Sequence, residues 1–279
     1  MTRTIDAHHH YWKTAAQDQP WRQDSHAGLA RDFGPADLAP ELALAGIQST
    51  ILVQSVDDPA ENDRLSEYAR NPTVAGVVAW LPIADADFAF HELERMDPYK
   101  VCGVRTLIAQ DPLEWLLSEK TLNVFREISS RGLAWDVVPV TGAQISAVVR
   151  LAEAVPELRI VVDHLGRPPV ESGQWEPWAS NLQQLAACPG VAMKVSVGLD
   201  VLSNWDTWRA EELLPYIQWA AENFGPSRLM LASNWPVVLL KTDYQRAWSD
   251  LHTAVHSLFT QPEDVGRLKG GTATEWYSL

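Results

Sequence analysis

The chain has 279 residues, 46% hydrophobic and 21% charged, with a net charge of −14; the length suits one large α/β barrel or two small domains. Such negative charge argues against nucleic acid or an anionic membrane as a partner, and no apolar stretch is long enough to span a bilayer. The two cysteines, Cys102 and Cys188, sit in apolar segments and read as reduced thiols, and Thr2-Arg3-Thr4 leads into the first apolar run with no leader-like stretch, so a cytoplasmic protein is expected.

Eight short apolar runs recur along the chain, at 4–8, 50–54, 74–81, 101–107, 133–138, 159–164, 191–196 and 228–233. Most are rich in Val, Ile and Leu with little alternation, as parallel strands buried on both faces require. Helical spacing fills the intervals. Asp57-Asp58-Pro59 announces a helix over 61–69, Thr141-Gly142 one over 143–154, and a helix over 211–224 stops at Gly225-Pro226. Eight strand–helix units predict a (β/α)₈ TIM barrel, with residues 1–279 forming one domain because no linker or composition break divides them. The long irregular stretches 13–35, 111–120 and 167–177 all follow strands, on the face where barrel enzymes build their sites.

The first strand carries the sharpest signal. Successive side chains on a strand point to opposite faces, so His8 and His10 share one side and His9 points away. Paired imidazoles at a strand's carboxyl end suit metal binding, or polarising a carbonyl and moving a proton; a satisfied core histidine is the bland alternative. Other strand ends add Gln54-Ser55, Arg105, Asp136, Asp163-His164, Lys194 with Ser196, and Ser233-Asn234-Trp235. A polar residue at nearly every strand mouth is hard to explain by packing, because buried polar groups are costly unless paired. Asp136 and Lys194 also suit a structural ion pair inside the barrel. Of the thirteen tryptophans, Trp12, Trp80, Trp135 and Trp235 fall at strand ends, where a flat ring could stack on a sugar, although core packing is the alternative.

Several segments together resemble the amidohydrolase superfamily, in its branch of small-lactone hydrolases. They are Asp6-Ala7-His8-His9-His10-Tyr11-Trp12, Gly103-Val104-Arg105, Asp163-His164-Leu165-Gly166-Arg167-Pro168-Pro169, Lys194-Val195-Ser196, the run from Arg228 to Val237, and Gly271-Thr272-Ala273. The Asp-His-Leu-Gly-basic-Pro-Pro segment is the most specific of these. The resemblance implies a hydrolase that opens a sugar-derived lactone of the L-fucono, L-rhamnono or galactono type, with a small-molecule lactone as its partner and homo-oligomers possible. It implies catalytic roles for His8, His10, His164 and the residue at 234, and substrate contacts by Gln54, Arg105, Asp136, Trp12, Trp80 and Trp235. Relatives differ in cofactor use: none is required, or one divalent cation, zinc or manganese, is held here by His8, His10 and Asn234.

Asn234 departs from the pattern, which has an aspartate there as general base. A carboxamide is no base near neutral pH. Either aspartate was replaced to hold an uncleaved ligand, or Asn234 is native and the chemistry is altered. A lactone-binding barrel without turnover, and a metal-dependent hydrolase or decarboxylase of an aromatic-derived acid, are the rival readings.

Overall fold

Eight strands form one sheet in the order β1 to β8, every neighbouring pair parallel. They are β1 (Ile5–His9), β2 (Ser49–Val53), β3 (Val74–Trp80), β4 (Val101–Arg105), β5 (Ala134–Val137), β6 (Arg159–Val162), β7 (Val191–Val195) and β8 (Leu229–Leu231). The computed structural model describes residues 3–279. A bridge between His9 and Trp235 closes the barrel, with the Asn234 backbone N–H donating to His8 O at 2.9 Å and that of His10 to Trp235 O at 2.8 Å. The eight expected strands are all present, and the fold is the (β/α)₈ barrel.

Helices α1 (Pro35–Ala45), α2 (Glu61–Tyr68), α3 (Ala86–Arg95), α4 (Glu119–Ser130), α5 (Gly142–Ala154), α6 (Trp178–Ala186), α7 (Leu199–Asn204), α8 (Ala210–Phe224) and α9 (Tyr244–Leu258) follow the strands, and short α10 (Pro262–Gly266) and α11 (Thr272–Trp276) end the chain. Their starts follow elementary chemistry: Thr141 and Gln144 make a reciprocal capping box on α5, and Asp85, Ser118 and Asp243 each accept from a first-turn N–H. No helix among the described residues is long and apolar enough to cross a membrane.

Packing separates into two layers. Outward residues such as Leu52, Val104, Trp135, Ile160 and Val195 join the helices in one large core, while Ile51, Val53, Val78, Ala134, Val161, Ala192 and Met230 fill the barrel with Tyr277 and Trp276 from the carboxyl end. Period-two alternation sends each strand's residues to these layers in turn.

Three strands end two residues earlier than the apolar runs suggest. β4 stops at Arg105, β6 at Val162 and β8 at Leu231, so Asp163-His164 and Ser233-Asn234 leave the ladder. His164 and Asn234 have φ of 57° and 56°, left-handed backbone that no strand contains. The change in backbone hand is what turns these residues over the barrel mouth.

Candidate active site

At the carboxyl ends of the strands lies a cleft of about 270 Å³, lined by His10, Arg105, His164, Arg167, Asp200, Asn234 and apolar walls that include Trp21, Leu107, Val138 and Val237. Strand one reaches it through an irregularity. Ile5 and Ala7 belong to the inner apolar layer, so strict alternation would send His9 inward next. The register instead shifts between Asp6 and His9, and a bulge of this kind re-aims side chains. His8 and His10 therefore meet at the mouth, their Nε2 atoms 3.1 Å apart, while His9 turns to Thr50 Oγ1 at 2.9 Å. The shared side was legible from spacing; its inward direction needed the bulge.

Behind the pair lies a buried ionic network. His8 Nδ1 is 3.2 Å from Asp163 Oδ1, and Asp163 Oδ2 accepts from Arg105 Nη1 at 2.7 Å. Lys194 Nζ lies 3.1 Å from Asp163 Oδ1 and donates to Asp136, whose carboxylate also accepts from the Tyr277 hydroxyl. Burial would raise the Asp163 carboxyl, but the charges of Lys194 and Arg105 overcome it and hold it well below the usual range. Burial pushes Asp136 up, and Lys194 only partly restores it. Asp136 is thus fully buried, locked to Lys194 and Tyr277, and is not among the residues that line the cleft; the structural ion pair is what forms.

Arg105 is aimed by its partners. Gln54 accepts from Nη2 through its backbone oxygen at 2.7 Å and its side chain at 3.3 Å, so Gln54 positions the guanidinium rather than lining the cleft. With Nη1 on Asp163, only Nε has no partner among the described residues. Three of the five guanidinium N–H groups are thus committed, and the Nε–H and the second Nη1–H are not.

His164 to Arg167 are four consecutive residues with φ between 51° and 61°. Glycine is needed at 166, where a Cβ would come within 2.7 Å of Leu182 Cδ2. This turn puts His164 and Arg167 on the same cleft and stores the strain expected of functional turns. His164 Nδ1 is 2.8 Å from Ser196 Oγ, and no other partner of that hydroxyl is found among the described residues. The hydroxyl proton finds an acceptor only if Ser196 donates to Nδ1, which leaves His164 with its own proton on Nε2. Burial lowers this imidazole to about 3, so it is a neutral donor. Burial likewise holds His8 and His10 far below the ordinary histidine range, with Arg105 adding to the effect on His10.

Strand eight is fixed from strand one. Asp6 accepts from the Ser233 N–H at 2.9 Å and hydroxyl at 2.6 Å and from Tyr244 at 3.0 Å. The next residue, Asn234, donates Nδ2 to Val197 O at 2.8 Å, and its Oδ1 is buried with no partner among the described residues. Asparagine tolerates the left-handed backbone that this position adopts.

The strand-end tryptophans do not line the cleft. Trp12 is fully buried and donates to Arg31 O, Trp235 packs on Tyr11 and Phe33, and Trp80 packs on Phe88. Trp135 packs on Phe125. Strand period points Trp80 and Trp135, and the backbone after β1 and β8 points Trp12 and Trp235, into packed layers. Trp21 and Arg167, on loops after β1 and β6, and Asp200, in the first turn of α7, line the cleft instead. No periodicity marks loop residues, so their only sequence signal is membership of the stretches that follow strands.

His8, Asp163 and His164 offer ligand atoms within 4.8 Å of one another. Asp163, however, already spends its oxygens on Lys194 and Arg105. Tetrahedral zinc with bonds of about 2.0–2.1 Å sets neighbouring nitrogens about 3.3 Å apart. The His8 and His10 Nε2 atoms nearly meet that spacing, and Asn234 Oδ1 supplies an unused oxygen.

A model of a family described as amidohydrolase matches residues 5–279. An L-fucono-1,5-lactonase of Burkholderia ambifaria is 34% identical over 288 residues, covering 100% of this chain and 97% of that protein. Another, from Burkholderia multivorans, is 30% identical over 295 residues, covering 99% and 96%. A crystal structure of an amidohydrolase from Burkholderia multivorans with bound zinc has a TM-score of 0.88 at 27% identity, covering 99% of each chain.

Proposed function

This chain belongs to the amidohydrolase family, and we propose that it is a lactonase that opens a small sugar-derived lactone to its hydroxy acid. The reading rests on its full-length likeness to the two L-fucono-1,5-lactonases. The observation in the site that carries it is the convergence of His164, a neutral ring with its proton on Nε2, Arg105 and Asn234, whose amide oxygen has no partner among the described residues, on one cleft. Ester opening needs this set: donors for the oxygen that becomes an oxyanion, and an acceptor that orients the attacking water.

Water attacks the carbonyl carbon while Asn234 Oδ1 accepts one of its hydrogens and fixes its direction. His164 and Arg105 stabilise the charge on the carbonyl oxygen. Asn234 cannot remove the proton. Asp200 is the one carboxylate among the lining residues, and it takes the proton and returns it to the ring oxygen as the acyl C–O bond breaks. The product is the open hydroxy acid, which ionises. Were a divalent cation bound, His8 Nε2, His10 Nε2 and Asn234 Oδ1 would hold it, and it would polarise the carbonyl as a Lewis acid.

The test is acid release from L-fucono-1,5-lactone, with L-rhamnono- and galactono-lactones beside it, at a pH where spontaneous opening is slow. Saturable opening of at least one, lost in Arg105→Met, is the expected result. No turnover across the panel by folded protein, with and without added zinc, would overturn the reading.

A further inference from the structure

Lys194 is completely buried, and its three N–H groups meet three partners: Asp136 Oδ2 at 2.5 Å, Asp163 Oδ1 at 3.1 Å and His8 Nδ1 at 3.2 Å. His8 Nδ1 lies equally 3.2 Å from Asp163 Oδ1. One ring nitrogen therefore faces both a donor and an acceptor, and it can serve only one of them.

Hydrogen accounting separates the two cases. A proton on His8 Nδ1 would go to Asp163 and leave the third Lys194 N–H pointing at another N–H, a buried donor with no acceptor. A bare Nδ1 accepts from Lys194, and the His8 proton then stands on Nε2, 3.1 Å from His10 Nε2. His10 can accept it there, because the Val53 carbonyl, 2.8 Å from His10 Nδ1, fixes the His10 proton on that nitrogen. Only this second arrangement gives each N–H an acceptor.

A cation at the strand-one pair needs the opposite tautomer, since His8 Nε2 must offer a lone pair. We propose that Lys194 is a positioning residue that holds the His8 proton on Nε2, so that the resting His8/His10 pair is a hydrogen-bonded dyad and Lys194 opposes cation binding there. Asp136 and Tyr277 are the buttress. The tyrosine hydroxyl lies 2.9 and 2.8 Å from the two carboxylate oxygens, and that carboxylate keeps the amine against His8. Cation entry then requires proton transfer from Nε2 to Nδ1 and a lysine N–H left without its acceptor, besides the repulsion between two positive charges. The inference concerns the same cleft but stands apart from the lactone reading, because its readouts are a ring proton and a metal affinity.

The test uses the full chain labelled with ¹⁵N-histidine and freed of metal by a chelator, with the His8 signals identified through His8→Gln. Long-range ¹H–¹⁵N spectra of the wild type should show His8 protonated on Nε2. In Lys194→Met the proton should move to Nδ1, facing Asp163. Zinc affinity, read by competition with a chromophoric chelator, should be about tenfold to hundredfold tighter in Lys194→Met, the usual weight of one orphaned buried donor. Should Lys194→Met fail to fold because Asp136 loses its partner, Asp136→Asn combined with Lys194→Met removes both charges and is measured in its place. A wild-type His8 protonated on Nδ1 without metal, or equal zinc affinity with and without the lysine, would overturn the proposal.

Discussion

Replacing Asn234 by aspartate tests how strand eight takes part in the reaction. The family pattern implies that an aspartate there is a general base, worth about 10²–10⁴-fold in rate. The structure adds a constraint that spacing does not carry. The Asn234 amide donates to Val197 O at 2.8 Å, in a position only 2% exposed. A carboxylate in the same place would set two acceptors against each other, and an unmet buried group of this kind costs about 1–3 kcal/mol. Burial alone raises a carboxyl by as much as about 3–5 units, and the facing carbonyl adds to the shift while Arg105 opposes it. The Asn234→Asp side chain is therefore expected to titrate near or above neutrality. Below that point it is a neutral acid that donates to Val197 O as the amide does; above it, it is a carboxylate beside the attacking water. The raised folded-state value favours the protonated form, so the variant should match wild-type stability only below about pH 4, where the unfolded aspartate is protonated too, and lose about 1.4 kcal/mol per pH unit from there up to its raised value. Its kcat/KM relative to wild type should be near one at pH 6 and climb with pH toward the 10²–10⁴ of a positioned base. Initial rates of lactone opening, corrected for the spontaneous reaction, with thermal melts at each pH, give both curves. A gain already complete at pH 6 would refute the role of Val197 and point back to aspartate as the residue this site is built for. A ratio flat at one across the range would refute strand eight as the place of water activation.

Acid stability follows from the buried histidines. Burial holds His8, His9, His10 and His164 neutral, with His9 and His164 lowered to about 3, whereas unfolded histidines take up a proton near 6.5. The unfolded chain binds more protons below that pH, so stability falls with pH by about 1.4 kcal/mol per unit per histidine. Chelator-treated protein should thus lose about 5 kcal/mol between pH 7.5 and 5.5 in urea melts; an unchanged midpoint would show that these rings are not buried neutral. Asp200→Asn should lower kcat by about 10²–10⁴-fold with a much smaller change in KM, and full activity would remove Asp200 as the proton acceptor. Gly166→Ala forces a Cβ against Leu182 at a left-handed position and should cost about 1–3 kcal/mol in thermal unfolding, with lactone opening reduced further because His164 shifts.

How far this chain can be read without coordinates depends on the kind of signal each residue sends. The eight strands are legible because burial on both faces writes unbroken Val/Ile/Leu runs, and the helix starts are legible because caps such as Thr141 use a small set of residues. His8 and His10 are legible as a pair for the same reason, since period two is local. What lies beyond one period is not. Trp12, Trp80 and Trp235 sit at strand ends as surely as Arg105 does, and nothing in composition says that their rings turn into packed layers while Arg105 turns to the mouth. The direction of each is decided by register shifts and left-handed turns that long-range pairing imposes. Asp136 shows the limit from the other side. An aspartate at a strand end reads as a ligand contact or as an ion pair with equal right. Only the arrival of Lys194 from β7 and Tyr277 from the carboxyl end decides for the pair, because an unpaired carboxylate at complete burial is the one outcome that free energy forbids. The same reasoning applies at Asn234, where Val197 O, set by the turn after β7, fixes the amide's orientation and so leaves its oxygen free for the cleft.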